Sequence, residues 1–128
     1  SNFKNANQIW VAGGIGITPF ISMAKSLPES GYNVDLYYSV KTASELIDWD
    51  ALTGVSLSKH GHFRVMPYIG DQTKERLSAD FIEANSNGLK GKDIFICGPP
   101  PMMTSLRKQF KAKKVPSARI HSEEFGMS

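Results

Sequence analysis

The residues best suited to chemistry in this chain lie in two short stretches. The first is Gly13-Gly14-Ile15-Gly16-Ile17-Thr18-Pro19, directly after the apolar run Ile9-Trp10-Val11-Ala12. Glycines at these spacings let backbone amides come close to an anionic group, because no Cβ stands between them and it. Thr18 suits a helix N-cap and Pro19 the first helical position, where no amide donor is needed. The stretch therefore reads as strand, glycine turn and helix start, a junction whose unpaired N–H groups and partial positive charge favour phosphate. The order Gly14-x-Gly16-x-x-Pro19 is not the G-x-G-x-x-G dinucleotide fingerprint, since a proline stands where the third small residue would be. The second stretch is Cys97-Gly98-Pro99, which closes the apolar run Ile94-Phe95-Ile96. On its residues alone it is a small, polarisable side chain at a strand end, followed by a Gly-Pro turn.

A third place concerns the sugar end of a nucleotide. Many folds that select NAD put an acidic residue at the end of their second strand, where it accepts from the ribose 2′-hydroxyl. Here Ser39 and Lys41 hold that place, a hydroxyl and a cation suited to a 2′-phosphate, and the expectation leans to NADPH. Lysine lacks the bidentate geometry of arginine, so the match is partial. Other candidates carry less. His60 and His62 have no cysteine or carboxylate at a ligand spacing and read as loop residues rather than a metal site. Ser122 beside His121 lacks the elbow of a hydrolase nucleophile. Lys108, Lys111, Lys113 and Lys114 read as a solvated helix end, without the interleaved aromatics that stack on bases.

Elements must hold these residues in place. Ile9–Ala12 is apolar enough for a strand buried on both faces. Phe20, Met23, Ala24 and Leu27 follow at helical spacing, and Pro28-Glu29-Ser30-Gly31 stops the helix. Asn33–Val40 is rich in aromatic and β-branched residues and reads as a second strand. A second helix is expected from Ala43 or Ser44 through Leu52, weakened by Gly54. Then come a strand over His62–Ile69, a polar loop over Gln72–Arg76, and a helix over Ala79–Asn85 capped by Ser78. A strand over Ile94–Cys97, a helix carrying Met102, Met103, Leu106 and Phe110, and a short strand over Ala118–His121 complete the series. This alternation predicts the α/β class: a three-layer, Rossmann-like domain of about five parallel strands flanked by helices. Ligands of such sheets bind beyond the carboxyl ends of the strands, where the strand order switches. The glycine turn, Ser39-Val40-Lys41 and Cys97-Gly98-Pro99 are all expected there.

Composition narrows the classes further. The 128 residues are enough for one domain, 1–128, with its own core, and 41% hydrophobic with 21% charged residues is ordinary for a globular protein. A net charge of +3 suits a phosphate-bearing ligand without calling for nucleic acid. Cys97 is the only cysteine, which excludes an intrachain disulfide or a cysteine-ligated cluster within the chain. No run reaches the length of about 18 apolar residues that a membrane span needs, and the start of the chain does not read as a signal peptide. Ser1-Asn2 reads as a cloning remnant and the chain as an excised piece of a larger protein.

Taken in order, WVAGGIGITPF, LYYSVK, CGPPPMM and HSEEFGM resemble the C-terminal pyridine-nucleotide domain of the ferredoxin–NADP reductase superfamily. Within it they are most similar to bacterial ferric reductases and NADPH oxidase-like proteins. The resemblance implies NADP(H) or NAD(H) as cofactor, with FAD carried on an upstream β-barrel domain that is a partner in cis. Gly13, Gly14, Gly16, Thr18 and Pro19 would meet the pyrophosphate, and Ser39 and Lys41 the adenosine end. Gly98 and Pro99 would let the backbone approach the nucleotide. The implied catalytic set is Cys97 beside the nicotinamide, Glu123 as the acidic residue near that ring, and Phe125 as the aromatic that covers the flavin. Continuing three residues past Phe125 departs from the plant-type pattern, and Glu123-Glu124-Phe125-Gly126-Met127 resembles the ferric reductase branch. That branch implies a haem-containing transmembrane domain in cis, and so a soluble cytoplasmic domain held at the membrane's cytoplasmic face. The mild charge and the solvated lysines argue for no nucleic-acid partner. The parent would move hydride from NAD(P)H to FAD and single electrons onward to haem, iron or oxygen; the isolated domain would turn over little. Two alternatives stand beside this: a soluble flavin reductase feeding an iron–sulfur protein or oxygenase, and a nucleotide-sensing module without electron transfer.

Overall fold

Burial on both faces sets the place of the first strand. β1 (Asn7–Gly13) is buried from Gln8 onward, as a strand covered by helices above and below must be. In the computed structural model, which describes residues 5–59 and 61–122, it lies between β2 (Asn33–Val40) and β4 (Asp93–Cys97). β3 (Phe63–Ile69) and β5 (Ile120–Ser122) form the two edges of the sheet. The order is β3-β2-β1-β4-β5 and every pair is parallel. The α/β class and the five parallel strands agree with the expectation from sequence. Strand order switches direction between β1 and β4, where Ala12 is the register partner of Cys97.

Helices cover both faces. α1 (Thr18–Lys25) and α2 (Trp49–Ser58) lie on one side. After the single turn α3 (Gly70–Thr73), α4 (Ala79–Asn85) and α5 (Pro100–Ala112) lie on the other. The alternation of β1 divides the core accordingly. Trp10 and Ala12 pack with Leu36, Phe20 and Leu52, while Ile9 and Val11 pack with Tyr37, Ile82 and Phe110. Trp10 stacks on Phe20 with ring centroids 5.5 Å apart. Its Nε1–H donates to Gln8 Oε1 at 2.8 Å, so the buried indole keeps a partner. On the other face Arg64 grips its register partner Asp35 through Nε and Nη2, both at 2.8 Å. Ser86 Oγ donates to the same carboxylate at 2.7 Å and Arg64 Nη2 donates to Asn85 O at 3.0 Å, tying the end of α4 to β2 and β3.

Several boundaries differ from the sequence reading. Thr18 does not cap α1. A 3-10 turn over Gly14–Ile17 runs straight into the helix, the cap position falls on Ile17, and Thr18 Oγ1 donates back to Ile15 O at 3.1 Å. Pro19 sits in the first turn, one position later than expected, because Thr18 is itself the first helical residue. The second helix begins at Trp49, not at Ala43 or Ser44. Ala43–Glu45 is only a 3-10 turn, after which Leu46 is extended and Asp48 is left-handed with φ 52°. The cause is Tyr38, whose hydroxyl accepts from Ile47 N at 2.8 Å and so satisfies an amide that a continuous helix would have used. Gly54 lies inside α2 without ending it. The polar stretch after β3 holds α3, which stops at Lys74 with φ 62°. Residues Ser117–Arg119 form a 3-10 turn, so the last strand starts at Ile120 and reaches Ser122. Ser78 caps α4 as expected, accepting from Phe81 N at 3.2 Å.

Candidate functional site

A cleft of about 1010 Å³ opens at the carboxyl ends of β1, β2 and β3, on the side of α4 and α5. Its floor is the backbone of Gly13 and Gly14. Gly14 has φ +55°, and a Cβ there would meet nothing within 4 Å, so the residue is glycine for its backbone conformation. Gly16 is glycine for a different reason. It is buried, and a Cβ on it would overlap the carbonyl of Cys97. The glycine turn and Cys97-Gly98-Pro99 are therefore in direct contact. Gly13 and Gly98 both sit against Met102, whose sulfur or methyl would lie 2.5 Å from a Cβ at either position.

Of the residues expected to bind a nucleotide, Gly13, Gly14, Ser39, Lys41 and Pro99 line this cleft. Gly16, Thr18, Pro19 and Gly98 do not; Gly16 and Gly98 shape the junction beneath it, and Thr18 is exposed on the turn. Cys97 is half-buried and packs with the core under α1 and α2, on the opposite face from Met102 and Leu106. Burial pushes its thiol above the ordinary value of 9.0, so it stays protonated at neutral pH. That suits packing or positioning, not nucleophilic attack. Glu123 and Phe125 lie outside the described residues, as does His60.

The loops after β2 and β3 bring in residues that the sequence reading missed. Glu45 Oε1 accepts from the backbone N–H of Lys41 at 2.9 Å and of Thr42 at 3.0 Å. Asp71 N donates to Lys41 O at 2.9 Å, which ties the two loops together. Glu45, Glu75 and Arg76 all line the cleft with Lys41. Glu45 stands at the capping-box spacing Thr42-x-x-Glu45, and that spacing marks a helical turn; its place at the cleft depends on the turn folding back to the strand end. Arg76 stood in a polar stretch with no spacing to mark it. Among the described residues no group of three metal-ligating side chains occurs and no helix is long and apolar enough to cross a membrane.

This geometry fits a dinucleotide. Bare backbone at Gly13 and Gly14 can approach a pyrophosphate without steric hindrance, and Lys41 and Arg76 supply cations at the same cleft. The chain spans about a third of the length of the curated relatives it matches. One is the ferredoxin reductase component of 3-ketosteroid-9-alpha-monooxygenase from Mycobacterium tuberculosis, 31% identical over 94% of this chain and 34% of that protein. Another is the carnitine monooxygenase reductase subunit of Acinetobacter baumannii, 33% identical over 92% of this chain and 35% of that protein. Among solved structures, flavohemoglobin from Malassezia yamatoensis with bound FAD and heme superposes with a TM-score of 0.76 at 18% identity. That likeness covers 94% of this chain and 32% of the other, and it speaks to the fold. Residues 10–108, most of the chain, match the family described as the oxidoreductase NAD-binding domain, and to that family the chain belongs.

Proposed function

We propose that this chain, as a single domain, is the pyridine-nucleotide part of a larger flavin-dependent reductase, with FAD on a β-barrel domain in cis. The carrying observation is the family match over a sheet whose switch point has a glycine-floored cleft beside it. NAD(P)H bound there supplies a hydride, and FAD accepts it and passes electrons on. The residues of this chain bind and orient. Gly13 and Gly14 offer backbone to the pyrophosphate, with Gly16 fixing the turn on which they stand. Ser39 and Lys41 face the adenosine end. Cys97 and Gly98 support the glycine turn from beneath, and of this motif Pro99 is the residue that reaches the cleft; the assignment of Cys97 to the nicotinamide rests on the resemblance of the CGP corner. Glu123 and Phe125 are assigned to the nicotinamide–flavin contact on the strength of the HSEEFGM ending.

The onward acceptor is an oxygenase component in this reading, supported by relatives named as reductase parts of monooxygenases. A ferric reductase with a haem-containing membrane domain, held at the cytoplasmic face, is the second reading. It rests on the resemblance of Glu123-Glu124-Phe125-Gly126-Met127 to that branch. The test uses the full-length flavoprotein under anaerobic conditions. NAD(P)H is expected to bleach the flavin absorbance, and Gly16→Ala to abolish the bleaching. Nucleotide binding without any bleaching would instead make this a sensing module.

A further inference from the structure

We infer that Glu45 makes the cleft selective for NADH over NADPH. The inference rests on the proposal that the cleft binds a pyridine nucleotide, and it opposes the NADPH preference suggested by Ser39 and Lys41. A 2′-phosphate at the end of β2 would need donors. The two backbone donors there, Lys41 N and Thr42 N, already point at Glu45 Oε1, at 2.9 and 3.0 Å. Amide bonds to a carboxylate are charge-assisted and are not given up cheaply. The carboxylate is also anchored from below. Tyr38, fully buried, accepts from Ile47 N at 2.8 Å and donates to Glu45 O at 3.4 Å, so the turn that carries Glu45 is fixed to the core.

Charge points the same way. The charged side chains lining this cleft among the described residues are Lys41 and Arg76 against Glu45 and Glu75. The two signs balance, and Lys41 shares its turn with the carboxylate that opposes it. A phosphate dianion arriving there meets a fixed negative charge whose amide donors are taken. A 2′-hydroxyl can donate to the same carboxylate, as it does to the acidic residue that NAD-selecting folds carry at the strand end. In this chain that function would come from a residue folded back onto the strand end by the turn.

Calorimetric titration of the 128-residue protein with AMP and with 2′-phospho-AMP, at one low salt concentration, tests this. The wild type is expected to bind AMP at least as tightly as 2′-phospho-AMP. Glu45→Gln keeps an acceptor for the two amides and removes the charge. It should strengthen 2′-phospho-AMP binding about three- to fivefold and leave AMP within about twofold, the scale of one exposed charge interaction. A wild type that prefers 2′-phospho-AMP overturns the inference. So does Glu45→Gln behaving as wild type while Glu45→Ala weakens both ligands alike, because that pattern belongs to a residue that only holds the turn. Failure of both ligands to bind any variant would overturn the nucleotide-site proposal itself, and the inference with it.

Discussion

The turn after β1 has no side-chain cap and takes its shape from glycines, whereas the turn after β2 is held by the side chains of Glu45 and Tyr38. Both reach the same cleft. The first is defined by sterics: Gly16 must lie flat against Cys97, and Gly14 must be left-handed with φ +55°. The second is defined by hydrogen bonds and charge, since Lys41 and Thr42 aim their amides at a carboxylate. A steric cradle suits the part of a ligand shared by NADH and NADPH. A charged turn suits the part in which they differ.

Substitutions should separate the two turns. The largest effect is expected at Gly16→Ala, whose methyl has nowhere to go but into the Cys97 carbonyl. Overpacking of this kind costs about 3 kcal/mol, read as a lower urea midpoint with an unchanged slope. A Gly16→Ala protein as stable as wild type would show that the first turn is not steric after all. Tyr38→Phe should cost less, about 1 kcal/mol, because it leaves Ile47 N without its 2.8 Å acceptor. The loss should fall on the second turn, so faster amide exchange at Ile47 with none at Gly14 is the pattern to look for. No change at Ile47 would mean that water or backbone replaces the hydroxyl, and that charge alone shapes the turn.

The smallest effect concerns Cys97, which packs beneath the contact between the two motifs. Burial holds its folded-state pKa above the ordinary 9.0, so the folded protein keeps a proton that the unfolded chain releases. The stability from that neutral thiol is complete below the ordinary value and declines as pH rises through the folded-state one. A Cys97→Ala variant should therefore lose less stability than wild type between neutral and strongly alkaline pH. Equal losses would place the thiol in water in the folded state.

The polar network beneath α4 offers a second contrast, this one between what could and could not be read in advance. Strand Asn33–Val40 was legible to the residue, and so was the Ser78 cap, because period, propensity and capping are local. The pairing of Asp35 with Arg64 was not, since it depends on β2 and β3 being neighbours in register. The second helix was misplaced for a similar reason. Tyr38, a strand residue, intercepts the amide of Ile47 across the turn, and no local preference announces that.

By itself the sequence determined the α/β class, the glycine turn and the cysteine-glycine-proline corner, because each follows from residue types acting within a few positions of one another. It also carried the family, through motifs in their order. Only the tertiary structure decided that Gly16 lies on Cys97, that Cys97 faces the α1 side, and that Arg76 and Glu45 share a cleft with Lys41. Those facts depend on which strands are neighbours and on how a turn folds back. A chain of hydrogen bonds and contacts distant in sequence sets them, and spacing along the chain does not encode it.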